Sequence, residues 1–167
     1  TGEGAGTPLD HELMINADHI TPITAEMVPT GEMLPVDGTP FDFRNPTKPG
    51  DRIDDDHPQI ELGGGYDHNW VLNREGEEME LAASAYEPSN GRYMEVWTEE
   101  PGIQYYSGNF LDGSIVGKSG APYDYRSGFC LETQHYPDSP NHRNFPSTTL
   151  KPGEIYNTRT AYRFSVR

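Results

Sequence analysis

Three polar residues stand where proton transfer or hydroxyl binding is chemically feasible. They are Glu132 in Gly128-Phe129-Cys130-Leu131-Glu132-Thr133-Gln134, Asp67 after Gly63-Gly64-Gly65-Tyr66, and Gln104 in Ile103-Gln104-Tyr105-Tyr106. A carboxylate on a rigid strand can take a proton from a hydroxyl that it reaches. An ionised aspartate only accepts hydrogen bonds, whereas a carboxamide donates and accepts, so both suit a hydroxyl-rich ligand. Extended backbone puts Cys130, Glu132 and Gln134 on one face and Phe129, Leu131 and Thr133 on the other, which turns Glu132 toward a pocket or solvent. Gln104 shares a strand face with Tyr106 by the same alternation. Residue type alone also admits plainer readings. Glu132 is then a solvated carboxylate, Asp67 a turn aspartate and Gln104 a surface glutamine.

Six histidines invite a search for a second proton-transfer group or a metal. His68 and His135 adjoin the segments of Asp67 and Glu132, but strand alternation points His135 away from the face of Glu132. A satisfied structural role suits both better. Asp54-Asp55-Asp56-His57 lacks the spacing of a calcium loop and reads as a solvated acidic loop. Tyr66, Trp70, Tyr105, Tyr106 and Phe110 could offer a platform for a ring, yet aromatics alternating in strands are mostly core.

The elements that must position these residues are short strands between turns. Residues 13–17 form the first strand candidate. Prolines 22, 29, 35, 40, 46 and 49 then prevent long elements, leaving a covering segment with short edge strands. Residues 70–73 and 79–86 read as a hairpin around Arg74-Glu75-Gly76-Glu77-Glu78, and residues 93–97 and 103–110 extend it to a four-stranded meander. Residues 128–134 form a further strand. Residues 155–166 alternate Tyr156, Thr158, Thr160, Tyr162, Phe164 and Val166 against smaller or charged residues, which predicts a strand with one buried face. The Gly-rich residues 1–8 read as a loop or frayed end.

At 167 residues the chain fits one folding unit, residues 1–167. Its ten tyrosines, six phenylalanines, 18 glycines and 15 prolines suit punctuated strands rather than disorder. The fold class expected is all-β, an antiparallel β-sandwich. A formal net charge of -15 repels a phosphate backbone, and with no Lys/Arg cluster this argues against a nucleic-acid partner. No stretch reaches the roughly 20 apolar residues of a membrane span. Cys130 stands alone, so no internal disulfide framework forms. Nothing at Thr1 resembles a signal peptide; the cytoplasm is the compartment expected, with export left open because a preceding segment would lie outside this sequence.

Four segments together resemble the aldose 1-epimerase family. They are Gly65-Tyr66-Asp67-His68-Asn69, Pro101-Gly102-Ile103-Gln104-Tyr105-Tyr106-Ser107-Gly108-Asn109, residues 128–134, and Tyr136-Pro137-Asp138-Ser139-Pro140-Asn141. Their order is the family's, and the flanking Pro29-Thr30-Gly31 and Leu150-Lys151-Pro152-Gly153-Glu154 are similar too. The resemblance implies the C-terminal part of a galactose mutarotase-like sandwich that interconverts the α and β anomers of free aldohexoses. It implies Glu132 as general base and Asp67 and Gln104 as ligands of a monosaccharide such as galactose or glucose. No cofactor and no metal is implied, since proton transfer at a hemiacetal needs neither. The family's presumed acid histidine has no counterpart here, so the N-terminal portion of the same enzyme is an expected partner. A non-catalytic carbohydrate-binding module is the alternative. A hexose-phosphate epimerase would need clustered cations, and Arg44, Arg52, Arg74, Arg92 and Arg126 are scattered.

Overall fold

The computed structural model describes residues 7–167; the first six residues of the expected N-terminal loop lie outside them. Nine strands run in chain order as β1 (Glu12–Ile15), β2 (Ala17–Thr21), β3 (Leu34–Pro35), β4 (Asp67–Leu72), β5 (Glu80–Glu87), β6 (Arg92–Thr98), β7 (Gly102–Tyr106), β8 (Cys130–Gln134) and β9 (Thr160–Val166), among the described residues. They form a four-stranded sheet, β1-β5-β6-β9, and a five-stranded sheet, β3-β2-β4-β7-β8. Every pairing is antiparallel. Buried residues of both sheets share one core, Leu13, Ile15, Ala83 and Val96 from the first and Ile20, Trp70, Ile103 and Tyr105 from the second. This is the antiparallel sandwich expected.

The strand connections differ from the sequence reading. Residues 13–17 are two strands in different sheets, because at Asn16 the chain passes from one sheet to the other. Asn16 N–H donates to the Ala82 carbonyl at 2.8 Å and Asn73 N–H donates to the Asn16 carbonyl at 2.9 Å. The predicted hairpin is likewise a sheet-crossing corner, with β4 in one sheet and β5 in the other, and so is the β6–β7 link. The Arg74 guanidinium ties these corners together. It donates to the carbonyls of Thr98 (2.7 Å), Glu100 (3.3 Å), Gly76 (3.0 Å) and Glu78 (2.9 Å). A partly buried network of this kind lies beyond local turn signals.

The proline-rich segment supplies more than cover. Val36, Phe41, Phe43 and Ile53 are buried, and Phe41 and Phe43 pack edge-on or tilted against Tyr66, Trp70 and Tyr105 at 5.2–6.0 Å between ring centroids. Buried aromatic N–H and O–H groups need partners. Trp70 Nε1–H donates to the Phe41 carbonyl (3.1 Å) and Tyr66 O–H to that of Pro40 (3.0 Å). The short helix α1 (Pro58–Gly63) starts on Pro58, with the His57 ring accepting from Gln59 N–H at 3.2 Å, and stops at left-handed Gly64 (φ 62°). Its stop turns the chain into β4 and so sets Asp67 at the strand's first position.

Strand β9 pairs with β6 along its whole length, yet its predicted buried face is open. Phe164 and Val166 are each 76% exposed. The period of two is real, but β9 is the sheet's edge: Thr160 and Tyr162 reach β8 through their hydroxyls, while Phe164 and Val166 at its far end stay open to solvent.

Candidate active site

Alternation in the five-stranded sheet sorts the site residues. Trp70, Ile103, Tyr105 and Leu131 point into the core and are buried, so Asp67 and Asn69 on β4, Gln104 and Tyr106 on β7, and Cys130, Glu132 and Gln134 on β8 share the outer face. The register places Asn69, Gln104 and Glu132 in one row across the sheet, and Asp67, Tyr106 and Cys130 in the next. The three residues singled out from the sequence thus lie on one face.

Asp67 and Gln104 are in direct contact. Gln104 Nε2 donates to Asp67 Oδ1 at 2.8 Å. Partial burial pushes the Asp67 carboxyl above the usual aspartate range, and the Gln104 hydrogen bond opposes that shift. Behind this pair, Gln134 Nε2 donates to Gln104 Oε1 (3.2 Å) and to Asn69 Oδ1 (3.3 Å). Glu132 stands exposed in the same row as Gln104. Burial, then the Glu132 and Asp67 carboxylates, raise the Cys130 thiol, which keeps it protonated between them. Gln134 and Asn69 were not singled out from the sequence. Alternation from Glu132 was the signal available for Gln134, and its role needed the tertiary contact to Gln104.

Of the two neighbouring histidines, His68 lines the pocket beside Asp67 with its Nε2 buried and unpaired, and His135 is held by Glu100. His68 faces the core, edge-on to Phe41 at 4.8 Å, and its Nδ1 accepts from Asp67 N–H at 3.1 Å. Burial, with His57 adding to it, pushes its pKa down to about 3, so it is neutral at physiological pH. His135 Nδ1 contacts Glu100 Oε2 at 2.7 Å, and Tyr156 O–H donates to Glu100 Oε1 at 3.1 Å. Burial disfavours the Glu100 carboxylate, but hydrogen bonds from Thr158, His135 and Tyr156 outweigh it and hold the group below the usual glutamate range. Asp54 pairs with Arg126 at 3.2 Å, and no group of three metal-ligating side chains converges among the described residues. Tyr66, Trp70 and Tyr105 are core, while Tyr106 stacks on exposed Phe110 at 5.9 Å beside Asp67.

A pocket of about 140 Å³ opens beside Asp67 and Gln104 and is also lined by Thr21, Met27, Asn69 and Pro137. A larger cavity of about 870 Å³ lies past the end of β8, lined by Arg74, Glu100, Gln134, His135 and Tyr156. Glu132 lines neither. The smaller pocket is the one in contact with the Asp67–Gln104 pair. Among the described residues, no helix is long and apolar enough to cross a membrane.

Fold and site define an antiparallel β-sandwich with a polar, carboxylate-bearing face on its larger sheet. Galactose 1-epimerase from Lactobacillus acidophilus superposes with a TM-score of 0.77 at 26% identity, covering 96% of this chain and 45% of that one. The GalM/aldose epimerase homologue from C. elegans gives 0.81 at 25% identity, covering 99% and 49%. The aldose 1-epimerase family profile matches residues 2–163, and the chain belongs to that family. Galactose mutarotase of Sus scrofa is 46% identical over 165 residues, 99% of this chain, and aldose 1-epimerase of Escherichia coli is 35% identical over 159. The chain spans 46% of the length of the former and 45% of the latter.

Proposed function

We propose that this chain carries the base and part of the sugar-binding surface of an aldose 1-epimerase acting on free aldohexoses such as galactose and glucose. The observation that carries the reading is the shared face. Glu132 stands exposed in register with Gln104, whose amide is bonded to Asp67. One strand separates β4 from β8, about 10 Å of backbone, so a monosaccharide lying across β7 reaches both carboxylates.

Glu132 takes the proton of the C1 hydroxyl as the bond from C1 to the ring oxygen breaks, and a second group protonates that oxygen. Rotation of the resulting aldehyde and reclosure in the reverse sense invert C1, returning both protons. Asp67 accepts from sugar hydroxyls and Gln104 holds it in place. Neither His68, neutral in the core, nor His135, bound to Glu100, is placed to be the acid. The acid is therefore assigned to the N-terminal portion of the family, the proposed partner. Residues 1–167 are taken as one unit of the larger sandwich. A phosphorylated sugar is disfavoured, because Arg44 is bound by Asp42 and Asp37, Arg74 by backbone carbonyls and Arg126 by Asp54. The cytoplasm is the compartment proposed.

Polarimetry on freshly dissolved α-D-galactose tests the reading, with the chain alone and with the family's N-terminal portion added. Acceleration only in the second case is the expected result. Acceleration by the chain alone would move the acid onto one of its own histidines, and none in either case would reduce the chain to a binding module.

A further inference from the structure

We propose that Thr21 and Asn69 form a subsite beside Asp67 for one hydroxyl-bearing substituent of the sugar, with Gln134 fixing which end of the Asn69 carboxamide faces it. The proposal rests on the carbohydrate reading above and adds to it a polarity and two binding residues. An ionised Asp67 can only accept, so the Gln104 atom 2.8 Å from it is the amide nitrogen. The Gln104 oxygen must then face Gln134, whose NH2 donates one hydrogen there and the other to Asn69 Oδ1. Asn69 is thereby oriented with its oxygen engaged and its nitrogen free.

Asn69 Nδ2 has no hydrogen-bond partner within the protein, and neither has Thr21 Oγ1. Both residues are 1% exposed. Thr21 on β2 is the register partner of Asn69 and shares its face, since Ile20 points into the core. A buried polar atom left unpaired is costly, and three of them, Thr21 Oγ1, Asn69 Nδ2 and His68 Nε2, belong to residues lining the same pocket. A donor beside a hydroxyl, which can donate or accept, matches a ligand hydroxyl. At about 140 Å³ the pocket falls below the roughly 300–1,000 Å³ of whole-ligand sites, so it admits a substituent and not the ring. Ile23, Met27 and Pro29 supply the apolar wall against which the carbon bearing that hydroxyl packs.

The test uses the chain together with the family's N-terminal portion, with D-galactose and its four monodeoxy analogues lacking the hydroxyl at C2, C3, C4 or C6. Thr21→Val should raise KM for galactose roughly five- to tenfold, the worth of one buried hydrogen bond, with kcat falling far less. The difference between wild type and variant should vanish for one analogue and persist for the others. Gln134→Glu, which loses both donors, should lose discrimination at the same position. Thr21→Val should also leave the melting temperature unchanged or higher, since it removes an unpaired buried hydroxyl, whereas a structural threonine would lower it. A KM within twofold of wild type, or a penalty equal across all analogues, overturns the subsite. Galactose binding by calorimetry separates the two readings: binding without mutarotation sinks the epimerase assignment alone, and no binding at all sinks both.

Discussion

Asp67 is half-buried, and its carboxylate is kept usable by a single donor, Gln104. Losing this acceptor should cost a charge-assisted hydrogen bond, so Asp67→Ala should raise KM roughly ten- to a hundredfold with a smaller change in kcat. Because burial raises the carboxyl, sugar affinity should fall as pH drops through a value above the ordinary aspartate range, and Gln104→Leu should shift that fall to still higher pH. Binding titrations in the two proteins measure it, and identical midpoints would remove Gln104 from the role. His68 carries the opposite signature. Its unfolded form takes up a proton near pH 6.5 and its folded form only at about 3. Between those values the unfolded state binds more protons, so stability declines as pH falls through the window. An imidazole NMR signal for His68 that stays flat from pH 8 to 4 is expected, and titration near 6.5 would contradict its placement in the core.

At the scale of elements, the presence of most strands and the facing of residues 128–134 were legible in the sequence, whereas sheet membership, the break at Asn16 and the open face of β9 were not. The alternation in residues 128–134 correctly separates Leu131 from Glu132, because period two survives any choice of partner. It says nothing of whether a turn leads to the neighbouring strand or to the other sheet. That choice is made at Asn16 and Arg74, through bonds to residues distant in sequence. Asp67 and Gln104 were singled out through the resemblance of their segments to the family, and Gln134 and Asn69 were not, since their roles rest on cross-strand contacts. Close packing makes this layer sensitive. A Cβ at Gly102 would lie 2.5 Å from Asn69 Oδ1 and 2.9 Å from the Tyr136 ring, both side chains being buried. Gly102→Ala should therefore destabilise by about 1–3 kcal/mol and weaken sugar binding together, read by urea denaturation and calorimetry. Full stability with unchanged affinity would mean that the Asn69 orientation is not held there.

For the whole molecule, the two sheets meet along their edges at β8 and β9. Tyr162 O–H donates to the Leu131 carbonyl at 2.9 Å and the Thr133 and Thr160 hydroxyls lie 2.6 Å apart. The strand carrying Glu132 is thus tied to a strand whose Phe164 and Val166 are open to solvent. Exposed apolar faces at sheet edges drive association. The chain alone should form oligomers by sedimentation velocity, Phe164→Lys should reduce them, and a monomer at high concentration would show that this face tolerates water. The role of Glu132 is tested most directly by the mutarotation rate of Glu132→Gln in the chain together with the family's N-terminal portion, alongside galactose affinity. Loss of a general base should lower kcat roughly a hundredfold or more, with affinity within a few-fold of wild type. A variant that turns over at the wild-type rate would contradict the assignment of Glu132 as the base.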